Sequence, residues 1–506
     1  MLPLDPDGST LAMACGSGVL LCKLLCTCQP DAIDERVLNL PEGGAAELAT
    51  PERLQNVTLC LNAASSLGAS VSHIDAAKVA DGQEEAVLEC LWQIVRLHKL
   101  QDINLKSFPS LLALQQEDEQ LPALLEVAPE ALLLRWLNHH LRQPLSHWRR
   151  APITSLDAGV QDGQAYLCLV QQLQPGSVDV AALLREADPA ARASAILSAA
   201  QQLTGAAVLP PPAGLLGPNQ RLHCLMLSEL FHACPALQLS QAERIEQRQA
   251  LSWLEEGDVD ASREERTFRM WLNSLLPDAH VSSLYGETLR DGWILLQAIA
   301  HIRPGSVDFA RVHRPPFPNP LHRRPKSLEN CNLVVQLTKD LLHLPLINVG
   351  GLDILNGQRK IILAILYQLM RLHTHALLQR IRPADAQLAD AQMDVEILSW
   401  ANQTVAAMGN THLQISSFAD PSLSSGQFLI TLLAAVIPGM VKPALVTPGV
   451  SAADKTLNAK YAISLARKLG CSIFLLWEDI VEVKPKMIAI FVASLMVHAA
   501  RTPAAH

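Results

Sequence analysis

No Cys-x-x-Cys pair occurs in the 506 residues, although eleven cysteines are scattered through them. Cys22, Cys26 and Cys28 cluster, but no second cluster supplies the four ligands that zinc needs at suitable spacing. An odd, dispersed set of this kind reads as reduced, mostly buried thiols of a cytosolic chain. A GxxxxGK[ST] phosphate loop, a GxSxG elbow and an HExxH pair are also missing. "CGSGVLL" (15–21) has two glycines of a dinucleotide fingerprint without the third, and helical periodicity leaves no strand before it. His139 and His140 have no carboxylate or cysteine at ligand spacing. These absences predict no enzyme activity, no cofactor and no metal. The net charge of −9 argues against a nucleic-acid partner for the chain as a whole. The N-terminus "MLPLDPDGST" carries acids where a secretory signal carries bases. The longest nearly apolar run, 428–441, is shorter than a bilayer span and contains Pro438, so no membrane insertion is expected.

What the sequence does contain is a period. "RPGSVDF" (303–309) is nearly repeated as "QPGSVDV" (174–180). Each phrase ends a mostly apolar segment that begins with glycine and reaches proline twelve residues later: Gly292 to Pro304 and Gly163 to Pro175. Gly18 to Pro30 and Gly426 to Pro438 repeat the spacing. The glycines stand 145, 129 and 134 residues apart. Trp-x-Asn recurs upstream of the last three, at Trp136, Trp271 and Trp400. Long helical patterns close each repeat: 86–100, 221–237, 360–375 and 486–500.

Each repeat therefore reads as a small all-α domain: a Trp-x-Asn helix, a central helix, a connecting loop and two more helices. The central helix is apolar almost all round and should be wrapped by its neighbours. Proline stops it, because proline cannot donate into the ladder and disfavours helical geometry just before itself. The repeats are set at 1–102, 128–238, 264–376 and 392–502, with a charge-rich linker at 239–263. Helical solenoids have periods of roughly 35–45 residues, much shorter than these. The first repeat begins too late for a Trp-x-Asn helix and is expected to be truncated. Residues 1–12 are a poor substitute, given Pro3 and Pro6. Its core is then expected to be partly exposed, and the repeat to be the least stable of the four.

In sequence order, "PEALLLRWLNHHL" (129–141), "REERTFRMWLNSLLPDAHVSSLYGETLRDGWILLQ" (263–297), "LENCNLVVQLTK" (328–339), "NAKYAISLARKLG" (458–470) and "EDIVEVKPKM" (478–487) resemble the plastin/fimbrin family of actin-bundling proteins. The resemblance covers nearly the whole chain. It implies four tandem calponin-homology domains in two pairs, each pair an actin-binding region, so that one chain crosslinks two filaments. Filamentous actin is the implied partner, the actin cytoskeleton of the cytoplasm the implied location, and the chain is expected to act as a monomer. Two tethered sites make the second binding event local. The family carries calcium-binding EF-hands ahead of these domains. The only near-candidate here, from Asp5, has Thr10 at position six and Gly16 at position twelve, where such a loop has glycine and glutamate. Calcium-independent behaviour is therefore expected.

Actin's acidic surface calls for local positive charge with some apolar contact. The segment 309–328 answers this with Arg311, Arg314, Arg323, Arg324 and Lys326, without an acid, and with Phe317 in a proline-rich stretch read as a loop. The last helix of the third repeat resembles a second family contact and adds Arg359, Lys360 and Arg371; its counterpart in the first repeat adds Arg96 and Lys99. The matching stretch of the first repeat, 35–55, sets Arg36 and Arg53 against four glutamates. The expectation is asymmetry, with the second pair the stronger binder. The alternative is a single-filament binder or scaffold that has lost bundling.

Overall fold

The computed structural model describes residues 5, 8, 10–41, 48–116, 119, 121–157, 159–206, 209–241, 244–245, 259–277, 279, 281–317, 320–341, 349–381 and 390–501. Among them there are helices and turns and no strand. The chain divides into two compact bodies, residues 1–95 with 258–506 and residues 96–257. Most of the expected linker lies outside the described residues; from Val259 the chain is helical.

The central helices are Val19–Cys28, Gln164–Leu173, Trp293–Ile302 and Gln427–Val436. Each starts directly after its glycine, and Gly18, Gly163, Gly292 and Gly426 all have φ between 72° and 78°. That left-handed backbone is nearly free for glycine and strained for other residues. In three repeats the glycine is also crowded: a β-carbon would meet the Asn56 β-carbon at 2.6 Å, that of Asn330 at 3.0 Å and that of Asn458 at 2.8 Å. Each asparagine joins a loop by its amide. The Asn330 Oδ1 accepts from His313 N and its Nδ2 donates to His313 O, at 2.9 and 2.8 Å. Asn56 does the same with Asn39 and Asn458 with Thr447. In the second repeat Arg192 replaces the amide, donating to the carbonyls of Leu183, Asp162 and Glu186.

The repeated phrase is a turn and a cap. Gly176, Gly305 and Gly439 follow their prolines at φ of 86°, 81° and 84°, and Asp31 takes the same place at 66°. Four residues after the proline, Asp34, Asp179 and Asp308 accept a backbone N–H at the start of the next helical turn. In the fourth repeat this residue is Lys442.

The Trp-x-Asn asparagines pin the following loop. Asn138, Asn273 and Asn402 each exchange two hydrogen bonds with one backbone residue: Ile153, Val281 and Ile415. Trp136 and Trp271 are buried beside them.

Three expectations need correction. Between its last two long helices each repeat has a five-residue helix: Ala76–Ala80, Pro212–Leu216, Gly351–Leu355 and Trp477–Val481. Elements this short show no periodicity. The stretch read as a loop around Arg323, Arg324 and Lys326 belongs to the helix Pro320–Gln336. Pro320 opens it, and Pro325 forgoes a single ladder bond in the second turn. Finally, the core of the first repeat is covered. A short helix, Leu11–Gly16, follows the prolines, and Cys15, Leu21, Cys22 and Leu25 are fully buried. Its helix Thr50–Leu67 packs on Ala452–Lys468 of the fourth repeat.

Candidate functional surface

The basic segment of the third repeat is built on two elements. Asp308 caps the turn Phe309–Arg311, which leaves Arg311 exposed. The guanidinium of Arg314 lies 5.9 Å from the ring centre of Trp293, whose ring meets Phe309 edge-on at 5.7 Å. Phe309 is 45% exposed. Basic and apolar surface are thus adjoining here, with cation–π contact holding the arginine in place. Phe317 is half-buried.

On the helix Pro320–Gln336, Arg323 pairs with Glu287 at 3.2 Å while keeping its side chain 53% exposed. Such a pair adds little stability and yields readily to another carboxylate. Arg324 donates to Asn356 at 3.3 Å and is exposed; Lys326 is half-buried. His313 pairs with Glu329 at 2.6 Å.

The last helix, Arg359–Arg380, places its three candidates differently. Lys360 is exposed. Arg359 stacks on Tyr285 at 4.8 Å. Arg371 is tied to Asp394 of the fourth repeat at 2.7 Å, and His375 reaches the same carboxylate at 3.1 Å. Burial alone would raise the Asp394 pKa, but hydrogen bonds from His375 and Arg371 and their charge hold it below its ordinary value.

Arg96 and Lys99 are likewise engaged, with Glu130 at 2.6 Å and Glu229 at 2.6 Å. Arg36 is held by Asp34 and donates to the carbonyls of Leu445 and Leu457. The structure therefore brings Arg311, Arg314, Arg323, Arg324 and Lys360 to the surface of one domain, and draws Arg371, Arg96 and Lys99 into internal ties. Trp293 and Phe309 were not foreseen. Trp293 follows the motif glycine directly, where the other repeats have Val19, Gln164 and Gln427, and that aromatic was the available signal.

The pattern of the calponin homology (CH) domain matches residues 5–100, 127–236, 262–375 and 391–501. Fimbrin-4 of Arabidopsis thaliana is 38% identical over 503 residues, covering 98% of this chain and 73% of the relative. The chain belongs to the fimbrin/plastin family. Plastin-3 of Homo sapiens is 36% identical over 507 residues, covering 98% of this chain and 76% of its own length. The crystal structure of the actin-crosslinking core of Schizosaccharomyces pombe fimbrin superposes with a TM-score of 0.76 at 31% identity, covering 97% of this chain and 96% of that one. Membership in the fimbrin/plastin family makes this a structural protein and not an enzyme.

Proposed function

We propose that the chain crosslinks filamentous actin, that it does so without calcium, and that the second pair of CH domains is the stronger binder. The reading rests on the family and on one observation: the exposed cluster Arg311, Arg314, Arg323 and Arg324 beside the Trp293–Phe309 edge. Charge with adjoining apolar area suits an acidic filament surface. Asymmetry is supported by the first pair, whose candidate cations Arg96 and Lys99 are held by internal carboxylates. Calcium independence is supported by Gly16, which stands where a calcium loop needs a glutamate. It is buried, and a β-carbon there would lie 3.1 Å from the Ala80 carbonyl. The chain acts as a monomer in the cytoplasmic actin cytoskeleton.

Those internal ties favour a second reading, a single-filament binder. Sedimentation with filamentous actin at two speeds, with and without calcium, separates the two. Pelleting at low speed in both conditions supports crosslinking; pelleting only at high speed supports the single-filament reading; no pelleting at either speed overturns both.

A further inference from the structure

Threonine followed by proline occurs at Thr50, Thr447 and Thr502, and serine followed by proline does not occur. Only Thr50 has a basic residue three places on, Arg53 in "TPER" (50–53); the others have Val450 and Ala505 there. Proline has no N–H, so it suits an enzyme groove that asks for no donor after the target hydroxyl. A base at the third place adds a charge contact with an acidic groove. Such a pattern fits a proline-directed protein kinase. Four residues alone are a weak signal, so the surroundings of each hydroxyl decide.

Thr447 is half-buried, and its hydroxyl is engaged at 3.0 Å with the Asp454 carbonyl and Asn458 Oδ1. Thr502 lies outside the described residues. Thr50 is exposed, as are Ala49, Pro51 and Glu52. The residue before its helix, Ala49, has extended backbone and no side-chain oxygen to cap the first turn. A turn begun by alanine opens at small cost, and a kinase groove takes its peptide opened.

A guanidinium already stands beside the hydroxyl. Arg53 Nη2 donates to Thr50 Oγ1 at 3.3 Å. Arg53 Nε is buried and has no hydrogen-bond partner among the described residues. Nε and Nη2 form one edge of the guanidinium, an edge that takes phosphate through two parallel hydrogen bonds. One donor of this edge therefore touches the hydroxyl while the other is unmatched. The adjacent Glu52 carboxylate is engaged by the Ala49 N–H at 3.0 Å.

We propose that Thr50 is phosphorylated by a proline-directed protein kinase and that the Nε–Nη2 edge of Arg53 then holds the phosphate. In this step Thr50 Oγ attacks the γ-phosphorus of ATP and the bond to the β-phosphate oxygen breaks. ADP leaves, and the hydroxyl proton passes to the base of the kinase. The product carries about −1.5 to −2 charge at neutral pH and three acceptor oxygens, which match both donors of the edge. Segment 35–55, which already sets Arg36 and Arg53 against four glutamates, becomes more acidic.

The test uses the full chain and needs no actin. The protein is incubated with a cyclin-dependent kinase, its cyclin and ATP, and phosphopeptides are mapped by mass spectrometry. Phosphate on Thr50 is expected. Thr50→Val should remove it, Thr50→Ser should restore it, and Thr447→Val should leave it unchanged. Phosphorus magnetic resonance then follows the second ionisation of the phosphate with pH. Held by Arg53, the group should ionise below its ordinary value of about 6, and Arg53→Gln should return it toward that value. No phosphate on Thr50, or equal ionisation with and without Arg53, overturns the proposal.

Discussion

Gly18 lies so close to Asn56 that a β-carbon on the glycine would stand 2.6 Å from that of the asparagine. The same glycine has φ 72°. Gly18→Ala therefore meets two penalties, about 1 kcal/mol for left-handed backbone and about 1–3 kcal/mol for overpacking. Gly305→Ala meets only the first, since nothing lies within 4 Å of its β-carbon. Hydrogen exchange should show loss of protection in the helix Thr50–Leu67 for Gly18→Ala and a far smaller loss around Gly305 for the other. Equal losses would disprove the crowding argument.

Asn273 exchanges two hydrogen bonds with Val281, a side chain acting as a second peptide group. Asn273→Ala leaves a backbone N–H and C=O without those partners, at about 1–3 kcal/mol. The expected outcome is a lower unfolding midpoint for the third repeat, with the segment 281–285 exchanging early. Asn273→Asp, which keeps an acceptor, should fall between.

The period, the all-α class and the buried central helices were legible because they depend on local chemistry. Glycine's left-handed start, proline's stop and the capping aspartate sit within one stretch of chain. The asparagine lock was not legible, since Asn56, Asn330 and Asn458 stand 38, 38 and 32 residues after their glycines and Arg192 replaces the amide in the second repeat. Nor was the fate of the cations. Arg371 and Arg311 look alike in sequence, and only the fold brings Asp394 to one of them.

That difference gives a paired prediction. Arg323→Glu with Arg324→Glu should nearly abolish cosedimentation with filamentous actin while leaving the unfolding free energy within about 0.5 kcal/mol, as for surface changes generally. Arg371→Ala should do the opposite, lowering stability because Asp394 loses its guanidinium partner and keeps only His375, with little effect on filament affinity. Unchanged affinity in the first variant would remove the third repeat as the binding surface.

Two histidines beside the motif tryptophans set an acid limit. Burial is the main cause that lowers His140 to about 4, and burial with the nearby His301 and Arg380 lowers His373 to about 4. His373 Nδ1 accepts the Trp271 N–H at 3.2 Å, which requires the neutral ring. Unfolded histidine takes up its proton near pH 6.5, the native rings only near 4. Their contribution is complete above pH 6.5 and is lost as pH falls toward about 4. The midpoint should drop across that window, and His373→Gln should flatten the drop in the third repeat alone.

In the second repeat Arg192 sends one guanidinium to the carbonyls of Leu183, Asp162 and Glu186, where the other three repeats use an asparagine amide. Two interchangeable-looking domains thus carry incompatible keys. A chimera that exchanges a central helix between the second repeat and any other must exchange the residue that locks it as well. Chain segments far apart in the sequence are, for recombination, a single inherited part.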